Sequence, residues 1–396
     1  MAGESLWTAI RRDSSWQAAS SGGLAAFVGF GSSFAIILHG VTAAGASPVQ
    51  AASGLFALLV MTGLFSIGVS LALRIPLIVA WSTPGAALLV TSPALHGGFS
   101  YTVGAFVICG LLIMVTGFWP VMGRVVGAIP RSLASAMLGG IVFSLCLAPV
   151  LGLRHKPAFI ILILLTWVIV GRVKRTLAVP AAVVMAVVLA SFDLHDAAAL
   201  SFSLPLTWIT PHFSASALIS VAVPLFVVTM AGQNIPGFAV LNIHGYRPKH
   251  GFILISTGLA SVLVAPFGGI PINLAAITAA MCADAEAHPD TGRRWWASAV
   301  AGGTYLVIGL FSGLITTFIA LSSPILIAAV AGIALFGALA SSLAGAVAEP
   351  SERDAAMVTF LMAASGLNIF GIGGAFWGLL AGGAILAFQR VRHKMS

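Results

Sequence analysis

Along the chain, apolar runs of spanning length follow one another with only short polar breaks between them. A helix that crosses a bilayer needs about 20 mostly apolar residues. Runs near 22–42, 48–72, 76–95, 99–119, 130–150, 157–173 and 176–192 meet or approach that length in the first half. A second set falls near 213–237, 251–266, 268–283, 295–319, 323–345, 354–371 and 373–390. The pattern predicts fourteen transmembrane segments, seven per half. An odd number per half makes the halves enter the membrane with opposite orientation. A shift of about 187 residues brings the two sets into register within several residues. This is the form of an inverted-topology repeat, so the predicted fold class is an all-α polytopic membrane protein of 7+7 inverted repeats.

The third and tenth segments are broken. The third reads Pro76-Leu-Ile-Val-Ala-Trp-Ser-Thr-Pro84-Gly85, and the tenth contains Ala265-Pro266-Phe-Gly-Gly-Ile-Pro271-Ile-Asn273. Paired interruptions at matching places in two halves point to the binding site of a secondary transporter. Freed backbone groups cannot stay unpaired in hydrocarbon, but are tolerated where they line a cavity. A helix beginning near Pro84 has Thr83 as a cap and proline in its first turn. In the second half Pro271 is expected to play the same part, with Asn273 in the first turn. Two facing half-helix N-termini carry partial positive charge and favour an anionic or hydrogen-bond-accepting ligand. Proline kinks that only shape packing are the alternative.

Composition agrees with a membrane protein. Hydrophobic residues make up 59% of 396 residues and charged residues 7%, against roughly a quarter charged in soluble domains; mean hydropathy is +1.09. With the N-terminus cytoplasmic, every Lys and Arg except Arg154 and Lys156 falls on the cytoplasmic side, as the positive-inside rule requires. The net charge of +8 is explained by that asymmetry and does not call for nucleic acid. Trp7, Trp16, Trp119, Trp208, Trp295 and Trp296 sit near run ends, where interfacial anchors belong. The first apolar run has no small-residue cleavage site after it and reads as a retained span. Cys109, Cys146 and Cys282 are far apart, without metal-ligand spacing, and read as packing residues. The sequence calls for no cofactor and no metal.

Polar groups inside the spans are few. Gln233 and Asn234 are expected to end an apolar helix just before Pro236, serving a substrate site or a helix cap. His39 is the one histidine well inside a predicted span, a candidate for proton transfer or for a structural hydrogen bond. Trp81 and Phe267 flank the breaks, where they could stack on an aromatic ring or simply pack. All ten acidic residues lie at termini, loops or span ends. Asp284 stands about 16 Å past Asn273 at helical rise, near the cytoplasmic surface, where it serves as a proton relay or a solvated loop carboxylate. A site without a buried carboxylate suits an anion. Gly378 and Gly382 form a Gly-x-x-x-Gly suited to close helix packing within a protomer or in a homodimer. No paired catalytic constellation lies within the spans, so no enzyme is predicted.

The stretch Gln233-Asn-Ile-Pro-Gly-Phe-Ala-Val-Leu, then Gly245-Tyr-Arg-Pro, then Ala265-Pro-Phe-Gly-Gly-Ile-Pro-Ile-Asn-Leu-Ala-Ala resembles the bacterial benzoate/proton symporter family. Glu286-Ala-His-Pro-Asp290, Arg293-Arg-Trp-Trp and Ala80-Trp-Ser-Thr-Pro-Gly-Ala-Ala-Leu-Leu fit it too. Ile270 stands where many members carry a histidine, so no proton role carries over to that position. The family is similar in outline to nucleobase and ascorbate transporters.

The resemblance implies a cytoplasmic N-terminal segment (1–19), a core domain from 20–119 and 206–319, and a gate domain from 120–205 and 320–396, the last ending in a cytoplasmic tail. It also implies a short strand leading into a half-helix at each break, in a bacterial inner membrane protein with both termini cytoplasmic. The implied substrate is benzoate or a similar aromatic carboxylate, imported with a proton by alternating access. Ser82, Thr83, Gly85, Gln233, Asn234, Gly269 and Asn273 would surround it, with Trp81 and Phe267 against its ring. His39 and Asp284 remain the proton-coupling candidates. The rival readings are a carrier of the same shape for a nucleobase or inorganic anion, and an anion channel.

Overall fold

In the computed structural model, the described residues are 6–92, 95, 97–119, 130–192, 204–369 and 372–395. Residues 120–129, where the first core stretch is predicted to pass into the gate stretch, lie outside them, as do Glu4, Asp193 and Asp196.

The elements run α1 (Leu6–Asp13), α2 (Trp16–Gly31), α3 (Phe34–Ala43), α4 (Pro48–Leu73), β1 (Val79–Trp81), α5 (Thr83–Thr91) and α6 (Phe99–Phe118). Next come α7 (Arg131–Cys146), α8 (Ala148–Gly152), α9 (Pro157–Val173) and α10 (Ala178–Ser191). The second half has α11 (Ala215–Ile243), a single helix with two π turns, then α12 (His250–Val264), β2 (Ile272–Leu274), α13 (Ala276–Ala283) and α14 (Trp295–Leu310). The chain closes with α15 (Ser312–Leu321), α16 (Pro324–Ala346), α17 (Arg353–Ala364), the hairpin β3 (Asn368–Ile369) and β4 (Ile372–Gly373), and α18 (Gly374–Met395).

Among the described residues, seven helices are long and apolar enough to cross a membrane. The predicted segment 295–319 is a pair, α14 and α15, bent by 56°. The segment predicted at 354–371 is a shorter helix followed by the hairpin, because Gly366 at φ +67° ends α17 in a left-handed turn. The third and tenth segments are each a three-residue strand followed by a short helix.

Two groups of helices pack together. In one, α4 lies on α14, α6 on α12, α3 on α5, and α11 on α13. In the other, α7 packs on α16 and α17, α9 on α10, and α17 on α18. The internal repeat is visible in the first group, where α4 against α14 mirrors α12 against α6. Both crossings are glycine-lined. A Cβ on Gly63 would stand 2.7 Å from the Gly302 carbonyl oxygen, and one on Gly251 would stand 2.8 Å from that of Gly117. Without a hydrophobic driving force between helices in lipid, such small residues let backbones meet. Gly378 and Gly382 likewise face α17, with the Thr359 carbonyl 2.7 Å from a Cβ on Gly378, so that seam is used within the chain.

Trp16, Trp119 and Trp208 are exposed, as interfacial anchors should be. Trp295 departs from that expectation and is fully buried. Its indole N–H donates to the Asp13 carboxylate at 3.0 Å, and the Arg74 guanidinium stacks over its ring at 4.7 Å. Asp13 also meets Arg12 at 2.7 Å and Arg293 at 3.6 Å. This knot fastens α1 to the ends of α4 and α14.

Candidate substrate site at the two broken segments

The two strands pair antiparallel, with Val79 opposite Leu274, Ala80 opposite Asn273 and Trp81 opposite Ile272. Three residues cannot satisfy a strand buried on all sides, so helix hydroxyls complete it. Ser66 on α4 accepts from the Val79 N–H at 3.2 Å, and Ser261 on α12 accepts from the Ile272 N–H at 2.8 Å. These two serines do the same work on repeat-related helices, as buried backbone donors require.

Asparagine side chains close each strand's exit. In the amide orientation that satisfies both groups, Asn273 accepts from the Ser82 N–H and donates to the Leu274 carbonyl, each at 2.9 Å. Asn234 accepts from the Leu274 N–H at 3.0 Å. Both are fully buried.

Three local expectations need correcting. Asn273 sits mid-strand, not in a helical first turn, and Pro271 precedes that strand, while α13 starts after Ala275 with no side-chain cap. In the first half the cap is Ser82, whose hydroxyl accepts from the Gly85 N–H at 3.0 Å, so Thr83 is the first helical residue. Gln233 and Asn234 do not end their helix. A π turn over Met230–Asn234 changes the bonding pattern just where Pro236 lacks an N–H, and α11 continues to Ile243.

Beside the start of α5 lies a cavity of about 440 Å³ between α7 and α11. Its walls are small or apolar, including Met137, Leu138, Val228 and Ile235, and its one charged lining residue is Arg131. Gly232 is part of the lining, and a Cβ there would stand 3.7 Å from Pro84 and 3.8 Å from Leu138. So α5 and α11, from the first packing group, meet α7 of the second at this point. Thr83 and Gln233, next to Pro84 and Gly232, are half-buried, and no protein group hydrogen-bonds either side chain among the described residues. Thr229, a turn before Gln233 on α11, is buried with its hydroxyl unpartnered. Ile277, in the first turn of α13, is 74% exposed.

Arg131 and Thr229 were not singled out from sequence. The only signal for Thr229 is its four-residue spacing from Gln233 in an apolar run. Arg131 reads from sequence as a loop charge, because only the fold brings α7 to α11.

The remaining candidates fall elsewhere. Trp81 is buried, donates its indole N–H to Ser33 Oγ at 2.7 Å and packs edge-on with Tyr305. Phe267 packs edge-on against Trp208 with centroids 5.4 Å apart. Gly85 permits the approach of α11, since a Cβ would stand 2.5 Å from Leu225. Gly269 packs against Val264, 2.9 Å from a Cβ placed there. Asp284 follows α13, exposed, with His244 Nε2 at 3.9 Å. His39 lines a different cavity.

Residues 12–388 match the family model described as benzoate membrane transport protein, BenE. The chain belongs to the BenE family. Among its relatives, the "Inner membrane protein YdcO" of Escherichia coli (strain K12) is 41% identical over 366 residues, covering 92% of this chain and 93% of that one. The "Benzoate membrane transport protein" of Acinetobacter baylyi is 30% identical over 380 residues, covering 95% and 96%. Among solved structures, the transmembrane domain of the cyanobacterial bicarbonate transporter BicA superposes with a TM-score of 0.57 at 17% identity, covering 92% of this chain and 97% of that one. Murine Slc26a9, an anion transporter captured inward-facing, gives 0.59 at 14% identity, covering 94% and 68%. At such identities the likeness is one of fold. This BenE-family chain is thus a multi-span membrane transporter, not an enzyme, with the inverted-repeat fold of those carriers.

Proposed function

We propose that this transporter imports benzoate or a similar aromatic carboxylate with a proton, by alternating access across a bacterial inner membrane. The observation that carries the reading is the cavity between the two packing groups, at the break of the third segment, with Arg131 as its one charge. A carboxylate suits that arginine, and Thr83 and Gln233, which adjoin the cavity through Pro84 and Gly232 without lining it, are the polar side chains we assign to its inner edge. An aromatic ring suits the apolar walls, and the volume falls within the usual range for small-molecule sites. Ser82, Asn234 and Asn273 hold the paired strands and the start of α5 beside this site. Gly85 lets α11 approach α5, and Trp81 supports β1 from behind, whereas Gly269 packs away from it against Val264.

Alternating access would move the α2–α6 and α11–α15 group as a core against a gate of α7–α10 and α16–α18. No described carboxylate lies within a spanning helix, so the substrate, a weak acid, supplies its own proton in this scheme. The distribution of basic residues supports cytoplasmic termini in this scheme.

The test is radiolabelled benzoate uptake into proteoliposomes with and without an inward proton gradient. Saturable uptake stimulated by the gradient supports the reading. Uptake of bicarbonate or uracil in its place, from the same preparation, would transfer the site to those substrates, and unsaturable flux would indicate a channel.

A further inference from the structure

A second cavity, of about 350 Å³, lies where the two packing groups are covalently joined. Ser322 and Ser323 are the whole linker between α15, which packs on α4, and α16, which packs on α7. The cavity wraps that linker. Leu38 and His39 of α3, Pro48 of α4 and Thr316 of α15 form one side, and Ile327 and Ala328 of α16 form the other.

His39 is the one ionisable group in its lining. The ring is partly exposed, and no protein group hydrogen-bonds it among the described residues. Two of the lining hydroxyls are already committed, since Thr316 donates to the Ser312 carbonyl at 2.7 Å and Ser322 to that of Phe318 at 2.6 Å, while Thr42, one turn past His39, is exposed at the rim. The space therefore offers the His39 imidazole, with the Thr42 hydroxyl one turn on, against a largely apolar wall. No carboxylate lines it to repel an anion or to claim the imidazole. An imidazole presents at least one N–H, and two when protonated.

We infer that this hinge cavity is a second binding site, taking a small monocarboxylate with an apolar ring or chain, its carboxylate on His39. An occupant touches both α15 and α16 across the two-residue linker, so it bears on the relative movement of the two groups. The site is separate from the Arg131 cavity and does not require that the anion be transported.

The experiment is thiol labelling of Ala320→Cys, at the exposed rim of this cavity, in purified protein whose native cysteines are all buried. Benzoate is expected to slow maleimide labelling several-fold, and to do so equally when Gln233→Ala is added. Adding His39→Gln should abolish the protection. So should Ala328→Phe, which fills the cavity from α16 and leaves the histidine in place. Absence of protection at millimolar benzoate overturns the inference. Protection lost with Gln233→Ala but kept with His39→Gln also overturns it, by assigning the effect to the other cavity. Because the readout is labelling rather than uptake, a failed transport assay leaves this test intact.

Discussion

Asn273, at the centre of β2, accepts a hydrogen bond from the backbone N–H of Ser82, the residue that leaves β1 and caps α5, at 2.9 Å. One side chain thereby ties the break in the first repeat to the break in the second. Its other end returns to the Leu274 carbonyl, also at 2.9 Å, so its polar groups are engaged without a ligand.

Asn273→Ala should therefore act first on stability. It strands a buried N–H and a buried carbonyl, each worth roughly 1–3 kcal/mol when left unsatisfied. Thermal unfolding in detergent should show a clear drop in Tm alongside lost uptake. Unchanged Tm with lost uptake would instead make Asn273 a direct ligand.

Gln233→Ala and Thr83→Val should behave the other way. Among the described residues neither side chain has a hydrogen-bond partner to lose, so Tm should hold. A lost hydrogen bond to a charged group corresponds to about 1.5–3 kcal/mol, or roughly a ten- to hundredfold rise in KM for benzoate. Wild-type KM in both variants would remove these residues from the site.

Arg131→Gln should weaken benzoate uptake and flatten its dependence on ionic strength, since a charge at a cavity mouth steers anions at long range. Arg131→Lys should restore part of the effect. An unaltered salt profile in Arg131→Gln would assign Arg131 to the surface alone.

The breaks themselves were legible in the chain, because Pro84 and Pro271 interrupt apolar runs at matching places. Their internal geometry was less so. Three-residue strands such as Val79–Trp81 carry no periodicity to read, so Asn273 looked like part of the helix that follows it. The cap moved from Thr83 to Ser82 because either hydroxyl fits the local pattern, and only the pairing of β1 decides. The π turn before Pro236 left no compositional trace. The cavity residue Arg131 depends on α7 meeting α11, whose facing lining residues stand at least 90 positions apart in sequence, which no local pattern encodes.

Asp13 gives a pH dependence with a definite sign. Its carboxyl is held below the ordinary carboxylate range, chiefly by the Arg12 hydrogen bond and further by Trp295 and Arg293, although burial opposes them. A depressed folded-state value means the stabilisation is full above the unfolded value near 3.9 and fades as pH falls through the folded one. Docking of α1 should thus persist through neutral and mildly acidic pH. Amide hydrogen exchange over residues 6–13 should stay slow down to about pH 4 and rise below it. In Asp13→Asn it should be fast at pH 7 already.

The glycine crossings predict a contrast along one helix. Gly63→Ala drives a methyl into the Gly302 carbonyl and Leu306, whereas Gly68→Ala meets nothing within 4 Å. The first should lower Tm. The second should leave it unchanged or raise it, since alanine favours a helix by up to about 1 kcal/mol over glycine. Equal effects would show that α4 and α14 do not meet backbone to backbone.

The pairing of β1 with β2 also bears on how the chain is made. Val79–Trp81 leave the ribosome roughly 190 residues before Ile272–Leu274, their hydrogen-bonding partners. Lipid offers no donor or acceptor to a strand in the interval. The third segment must therefore wait, sheltered by translocon, water or neighbouring helices, until the second half arrives. The two repeats cannot mature one after the other. Each half supplies the other's missing strand, so a chain severed between them would have to find its complement within the membrane before either half could close.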